Sequence, residues 1–359
     1  MIIEPDLLGV TRGPKARASI NKNIQTDNGG TADGAIDGPW ASLRRVHFYI
    51  SDLVFRDLHP LGVGVIERRV LDALAFAEAR GATDGMPVAA ICKLIPPRTT
   101  PQTVGSVLER MKDVGWVELL GASASKGRGR HWRLSERGRQ LRTVGKQIIE
   151  MILQENYHRA TTQQREALLT FGQAAAEFMD SRLVPVVHRA DPAASVEPQR
   201  RPNWAALRRS HFYINDLIFT EVEPIGVGVV ERRILDALGF AAHQGAVDGI
   251  TTKTVCDLIS APVRAQAAAS VLGRIQDWGW VESHEMKRPG RRQERVWLLT
   301  ESGRAIRAMY KEYAESVIRD VYGRRADDLG DLLALAETAE RHRNVRLEPI
   351  VALAEPPGP

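Results

Sequence analysis

The chain has 359 residues, 43% of them hydrophobic, and its 49 Lys and Arg exceed 44 Asp and Glu to leave a formal charge of +5. That length fits roughly two domains of about 150 residues with ordinary cores, and so small a positive excess matters chiefly through where it lies. No stretch approaches the roughly 18 apolar residues of a membrane helix, Met1 to Val10 lack a basic segment followed by a long apolar one, and two cysteines supply neither a disulfide framework nor a four-ligand zinc set. Secretion and membrane spanning are therefore not expected, and a reducing cytoplasm is.

In chain order, residues 1–38 are rich in Gly, Asp, Asn and Thr without sustained periodicity and read as a flexible N-terminal arm. Trp40 to Leu58 carries apolar residues at helical intervals and stops before His59-Pro60. Val63 to Ala79 is a second helix, with Val70, Leu71, Leu74 and Phe76 on its apolar side and Gly81 closing it. A short third helix runs from Pro87 to Ile95. A fourth opens near Thr99 or Thr100, accommodates Pro101 in its first turn, and ends before Gly115. At helical spacing Val104, Val107, Leu108 and Met111 share one face of it, and Thr99, Gln102, Ser106 and Arg110 the opposite one. Trp116 to Leu120 and His131 to Leu134 are strand candidates joined by a loop of small and basic residues, a β-hairpin with a cationic tip. A long helix from about Gln140 to Tyr157 follows, then a last one over roughly Thr162 to Leu183, capped at Thr161 or Thr162.

This order recurs. Trp40 to Glu118 aligns without a gap on Trp204 to Glu282 at an offset of 164, with about half the positions identical. The Trp40-Ala-Ser-Leu-Arg-Arg-Val-His-Phe-Tyr-Ile-Ser-Asp52 segment returns as Trp204-Ala-Ala-Leu-Arg-Arg-Ser-His-Phe-Tyr-Ile-Asn-Asp216, and Gly62-Val-Gly-Val-Ile-Glu-Arg-Arg69 as Gly226-Val-Gly-Val-Val-Glu-Arg-Arg233. Beyond Glu118 the offset becomes 165, since Trp132 pairs with Trp297 and Gly138 with Gly303, which assigns the extra residue to a loop. The period has the size of a domain, too long for a solenoid unit. The reading is a mainly α chain with small β-hairpins: domain 1 over 39–186, a Pro/Ala/Arg linker over 187–202, domain 2 over 203–345, and a tail over 346–359.

Helix three, a turn, helix four and a basic hairpin together resemble a winged helix-turn-helix. More specifically, Val107-Leu-Glu-Arg-Met-Lys-Asp-Val-Gly-Trp-Val-Glu118, a basic loop, then Trp132-Arg-Leu-Ser-Glu-Arg-Gly-Arg139 is similar to the MarR (multiple antibiotic resistance regulator) family of bacterial transcription factors. There, the recognition helix leads through a Gly to the wing, and a Leu-Thr-Glu-x-Gly-Arg-like segment opens the fifth helix. Copy two carries Val271-Leu-Gly-Arg-Ile-Gln-Asp-Trp-Gly-Trp-Val-Glu282 and Trp297-Leu-Leu-Thr-Glu-Ser-Gly-Arg304. The Arg-Arg-x-His-Phe-Tyr-Ile-x-Asp segment has no counterpart in the family pattern, and the wing lacks the common Asp-x-Arg start. Family members are homodimers held by their first and last helices. The resemblance therefore implies two winged helix-turn-helix domains forming an intramolecular pseudo-dimer, a cytoplasmic, nucleoid-associated transcription regulator. It implies double-stranded promoter or operator DNA as partner, with a small-molecule effector, RNA polymerase or other regulators as further ones, and no cofactor.

On that reading the base-reading candidates of copy one are Arg98, Thr99, Thr100, Gln102, Thr103 and Ser106, with Arg110 nearer the DNA backbone; copy two offers Arg264, Gln266, Ser270 and Arg274. Arg pairs with guanine and Gln with adenine through two hydrogen bonds, while Ser and Thr suit phosphate oxygens or the thymine methyl. The hairpin loops hold Lys126, Arg128 and Arg130, and Lys287, Arg288, Arg291 and Arg292, cations suited to phosphates or a narrow minor groove. The blander alternative is a solvated helix face and two solvated loops. Pro96 to Gly105 shares only Gln102/Gln266 with Ser260 to Ala269. Either the halves read different half-sites of an imperfect palindrome, or one half merely grips the backbone.

Cys92 and Cys256, flanked by apolar residues in the third helix of each copy, are expected as small core residues rather than redox sensors. His47 and His211 are expected at a helix interface, with an effector pocket as the alternative. An enzyme is not expected: there is no His-Glu-x-x-His, no Gly-x-x-x-x-Gly-Lys loop and no Gly-x-Ser-x-Gly elbow. Two further readings stand beside the regulator, an architectural or recombination-accessory DNA-binding protein and a winged-helix protein-interaction scaffold.

Overall fold

A computed structural model describes residues 40–95, 99–120, 130–192, 204–222, 226–259, 263–287, 293–323 and 329–354. The chain is mainly helical with two small antiparallel sheets. Copy one contributes α1 (Ala41–Leu58), α2 (Val65–Glu78), β1 (Met86–Pro87), α3 (Val88–Leu94), α4 (Pro101–Asp113), β2 (Val117–Leu120), β3 (His131–Leu134), α5 (Glu136–Tyr157) and α6 (Thr162–Ala190). Copy two repeats the order as α7 (Trp204–Val222), α8 (Val229–His243), β4 (Ile250–Thr251), α9 (Thr252–Leu258), α10 (Ala265–Asp277), β5 (Val281–Met286), β6 (Glu294–Leu299), α11 (Glu301–Tyr322) and α12 (Leu329–Ala354).

Helix starts follow local capping chemistry. Thr100 accepts from the Thr103 N–H, Ser135 from Gly138 and Thr251 from Thr254, and Thr161 forms a full capping box with Gln164. Ser135 starts α5 at Glu136, one turn before Gln140. Each sheet has three strands, ordered β1-β3-β2 and β4-β6-β5, with Leu119 opposite Trp132 and Ser283 opposite Trp297. The third strand of each, only two residues long, is not predicted from the sequence. It pairs Met86 with Trp132 and Ile250 with Trp297.

Two helices run further than their prolines suggest. α6 continues through Pro185 to Ala190 and α12 through Pro349 to Ala354, because Val187 and Val351 beyond them are buried. Of the linker expected over 187–202, the residues up to Ala190 are helical, and the tail expected from 346 is helical as far as Ala354. The expected arm over 1–38 lies outside the described residues.

By compactness the chain divides into Arg45–Thr220 with Ile318–Ala339, and Met1–Arg44, Glu221–Val317 and Glu340–Pro359. In the first unit the interior is partly polar. His47 and His211 stack with ring centroids 4.0 Å apart, and their Nε2 atoms meet the hydroxyls of Tyr322 and Tyr157, each at 3.2 Å. Burial drives His47 down to about 3 and His211 well below the ordinary histidine value, so both rings are neutral. Asn215 Nδ2 donates to Ser51 Oγ at 2.8 Å, and Arg69 pairs with Asp216. In the second unit Arg44 pairs with Glu315 at 3.3 Å. There Asp236 lies between Arg232 and Arg307, at 3.2 and 3.4 Å. Burial opposes the charge on Asp236, but the two guanidinium groups prevail and hold its carboxyl below the usual range.

Candidate nucleic-acid interface

α4 buries Val104, Val107, Leu108 and Met111 and exposes Thr100, Gln102, Thr103, Ser106 and Arg110, the division its periodicity predicts. Thr99 is half-buried. Near the helix start Thr100 Oγ1 lies 2.9 Å from Thr103 Oγ1, and Ser106 Oγ donates to the Gln102 carbonyl at 3.0 Å. These hydroxyls are pre-positioned by the helix itself, whereas the Gln102 amide projects into solvent. On α10, Ala268, Val271, Leu272 and Ile275 are buried, and Arg264, Gln266, Ser270 and Arg274 are exposed. Ala267 and Ala269 are exposed where copy one has Thr103 and Gly105. The α10 face is therefore poorer in hydrogen-bonding groups and richer in methyls.

The candidate arginines carry partners that sequence reading did not identify. Arg110 Nη2 lies 2.8 Å from Glu67 Oε1 on α2, and Arg274 pairs in the same way with Glu231 on α8. Both pairs span 43 residues, and that shared separation, inside the repeated Gly-Val-Gly-Val-x-Glu segment, was the available signal. Arg130 Nη2 lies 2.7 Å from Glu109 Oε1 on α4, tying the base of the hairpin loop to the helix. All three arginine side chains remain about half exposed or more, at 63%, 47% and 59%. Glu67 and Glu231 are far less exposed, at 17% and 11%, so of the three only Arg130–Glu109 is a surface pair of the kind that holds little energy and can exchange for a phosphate. Lys287 is exposed at the end of β5. Arg98, Lys126, Arg128, Arg288, Arg291 and Arg292 lie outside the described residues.

The remaining candidates resolve differently. Cys92 and Cys256 are half-buried rather than core residues. Burial pushes both thiols up, and for Cys256 Asp257 adds to the effect, a setting that disfavours the reactive thiolate. His47 and His211 are packed against each other and two tyrosines, a helix-contact environment. Among the described residues no helix is long and apolar enough to cross a membrane. No family model, curated protein or solved structure matches the chain.

Proposed function

We propose that the chain is a cytoplasmic, sequence-specific double-stranded DNA-binding transcription regulator built from two winged helix-turn-helix domains, a MarR-like pseudo-dimer in one polypeptide. The observation that carries this reading is the paired exposure on α4 and α10. In each, one face of the helix is buried and the N-terminal half presents polar side chains at equivalent positions on the other, and each helix leads through a Gly into a hairpin whose loop is basic in sequence. Gln102 and Gln266 read a base edge in each half-site, while Thr100 and Thr103 on one side, and Arg264 with exposed alanine methyls on the other, make the half-sites unequal. Lys and Arg of the loops supply the salt-dependent, sequence-independent part of the affinity.

Selection from a randomised duplex pool, followed by footprinting, tests the proposal. One protected site of about two helical turns with unequal halves is expected. Broad weak binding assigns the chain instead to an architectural role, and no binding to a protein-interaction scaffold. Symmetrised versions of the selected site test the asymmetry separately: if either binds as tightly as the natural one, the halves do not read different sequences.

A further inference from the structure

A cavity of about 350 Å³ lies wholly within the unit formed by Arg45–Thr220 and Ile318–Ala339, bounded by α2, the end of α3, α5, α6 and α7. Part of its wall is apolar, formed by Phe76, Leu94, Met179, Leu183 and Phe212. The rest is charged, and the charge does not balance: seven lining side chains are Arg or Lys and two are Asp. Counting every carboxylate paired with these cations among the described residues, Asp72 serves Arg68 and Arg142, Asp216 serves Arg69, Asp180 serves Arg80 and Arg209, and Glu150 serves Arg208. Four carboxylates therefore face seven cations.

Three of these cations are buried with N–H groups to spare. Arg68, Arg69 and Arg80 are all more than nine-tenths buried, and Arg68 Nε and Nη2, Arg69 Nε and Arg80 Nε have no hydrogen-bond partner among the described residues. The Arg68 guanidinium lies 3.8 Å from the Phe212 ring centroid and that of Arg80 3.8 Å from Phe76, so the cations stand directly against the apolar wall. Burial, together with Arg142 and Arg208, pushes the Lys146 amine down to about 8. Buried guanidinium groups that keep unpaired N–H donors are costly unless an acceptor completes them.

The repeat supplies an internal comparison. At two of the equivalent positions the other unit differs. Arg343 stands where Met179 does, with its guanidinium 5.8 Å from the Phe240 ring centroid and 3.6 Å from Glu340. Gly239 stands where Ala75 does, and Arg307 lies across it, so close that a Cβ there would overlap the guanidinium and sit 2.7 Å from Nη1. Ala75, which lines the cavity, carries the Cβ that Gly239 lacks.

We infer that this cavity binds one multivalent organic oxyanion per chain, a phosphomonoester or polycarboxylate whose charged end meets Arg68, Arg80 and Lys146 and whose apolar part lies against Phe76, Leu94 and Met179. Guanidinium forks match phosphate and carboxylate oxygens in pairs. The inference is independent of the DNA reading and stands if that reading fails.

Calorimetric titration of the full chain with phenyl phosphate, inorganic phosphate, citrate and phenol tests it. Phenyl phosphate or citrate should saturate at one per chain; if phenyl phosphate binds, it should bind more tightly than inorganic phosphate, and phenol should not bind. Met179→Arg and Arg80→Gln, which copy the residues of the other unit, should each weaken binding at least about tenfold. In the unaltered protein, the anion that binds should slow acylation of Lys146, a readout that needs no variant to fold. A preference for citrate over phenyl phosphate identifies the polycarboxylate. Saturation at two per chain, wild-type affinity in both variants, an unprotected Lys146, binding of phenol, or no binding of either organic anion at millimolar concentration overturns the inference.

Discussion

Alanine at Gly138 sets two effects of opposite sign against each other. Gly138 lies in the first turn of α5, and helix propensity alone favours alanine over glycine there by up to about 1 kcal/mol. Against this, a Cβ on Gly138 would overlap the Trp116 carbonyl oxygen and sit 3.0 Å from its carbonyl carbon. That oxygen accepts the Ser135 N–H at 3.1 Å, while Ser135 Oγ donates to the Gly115 carbonyl at 2.6 Å and accepts the Gly138 N–H at 3.0 Å. Any retreat of the Trp116 backbone therefore pulls on the junction where α4, the hairpin and α5 meet. Overpacking costs about 1–3 kcal/mol and each strained hydrogen bond about 1 more, so the steric side wins and Gly138→Ala destabilises by about 1–3 kcal/mol. Gly145→Ala, in the same helix, is the control: its Cβ would meet only Leu58 Cδ2 at 3.6 Å, and it should stabilise by up to about 1 kcal/mol. Gly303→Ala should behave like Gly138→Ala, since its Cβ would overlap the Trp280 carbonyl oxygen. Urea titrations of the full chain followed by circular dichroism compare the variants. Equal midpoints for the Gly138 and Gly145 variants would refute the argument.

The buried histidines predict an acid limb. His47 takes a proton only near pH 3 in the folded chain but near its ordinary 6.5 when unfolded, so below that value the unfolded state binds more protons. Stability should be complete above about pH 6.5 and fall by about 1.4 kcal/mol per pH unit per histidine as pH drops toward 3, and His47→Phe should flatten the urea-midpoint profile. An unchanged slope in that variant would locate the acid sensitivity elsewhere. Gln102→Ala should relax choice at one base pair, at about 1–3 kcal/mol of discrimination, in a binding assay over single-site operator variants. Arg128→Ala with Arg130→Ala should instead weaken all sequences alike and reduce the salt slope by about 1 for each phosphate no longer neutralised; a change confined to one sequence would reassign these residues to base reading. Ser51→Asn should cost about 1–3 kcal/mol in the same urea titration, because it opposes two bulky amides where one amide now meets one hydroxyl at 2.8 Å.

What was legible in the sequence rests on short-range signals. The amphipathic division of α4, its Thr100 cap, the Gly115 turn and the hairpin strands are all encoded within a few residues of where they act, and the repeat supplies all but the cap twice. What was not legible depends on distant partners. Met86 and Pro87 are too few to show a period of two and become a strand only because Trp132 and His131 lie beside them. Pro185 and Pro349 are local stop signals overridden by the burial of Val187 and Val351. There the repeat did carry a clue: Arg182-Leu-Val-Pro-Val-Val187 matches Arg346-Leu-Glu-Pro-Ile-Val351 at the original offset of 164, so the duplication extends into the last helix of each copy.

A duplication identifies which positions are equivalent, but it is silent on which equivalent positions touch. Within the unit formed by Arg45–Thr220 and Ile318–Ala339, His47 meets its own repeat partner His211, and Ser51 meets Asn215. At such places a side chain is selected against its twin. Stacked neutral rings tolerate identity, and the copies are identical there; a buried hydrogen bond in little space is better made by unlike groups, and there they differ. At other positions, such as Thr103 with Ala267 or Met179 with Arg343, the copies differ without a contact of that kind being what distinguishes them. Each can drift toward its own task, which is why the proposed half-sites and the single proposed anion site both rest on residues where the copies disagree while the scaffold around them is shared.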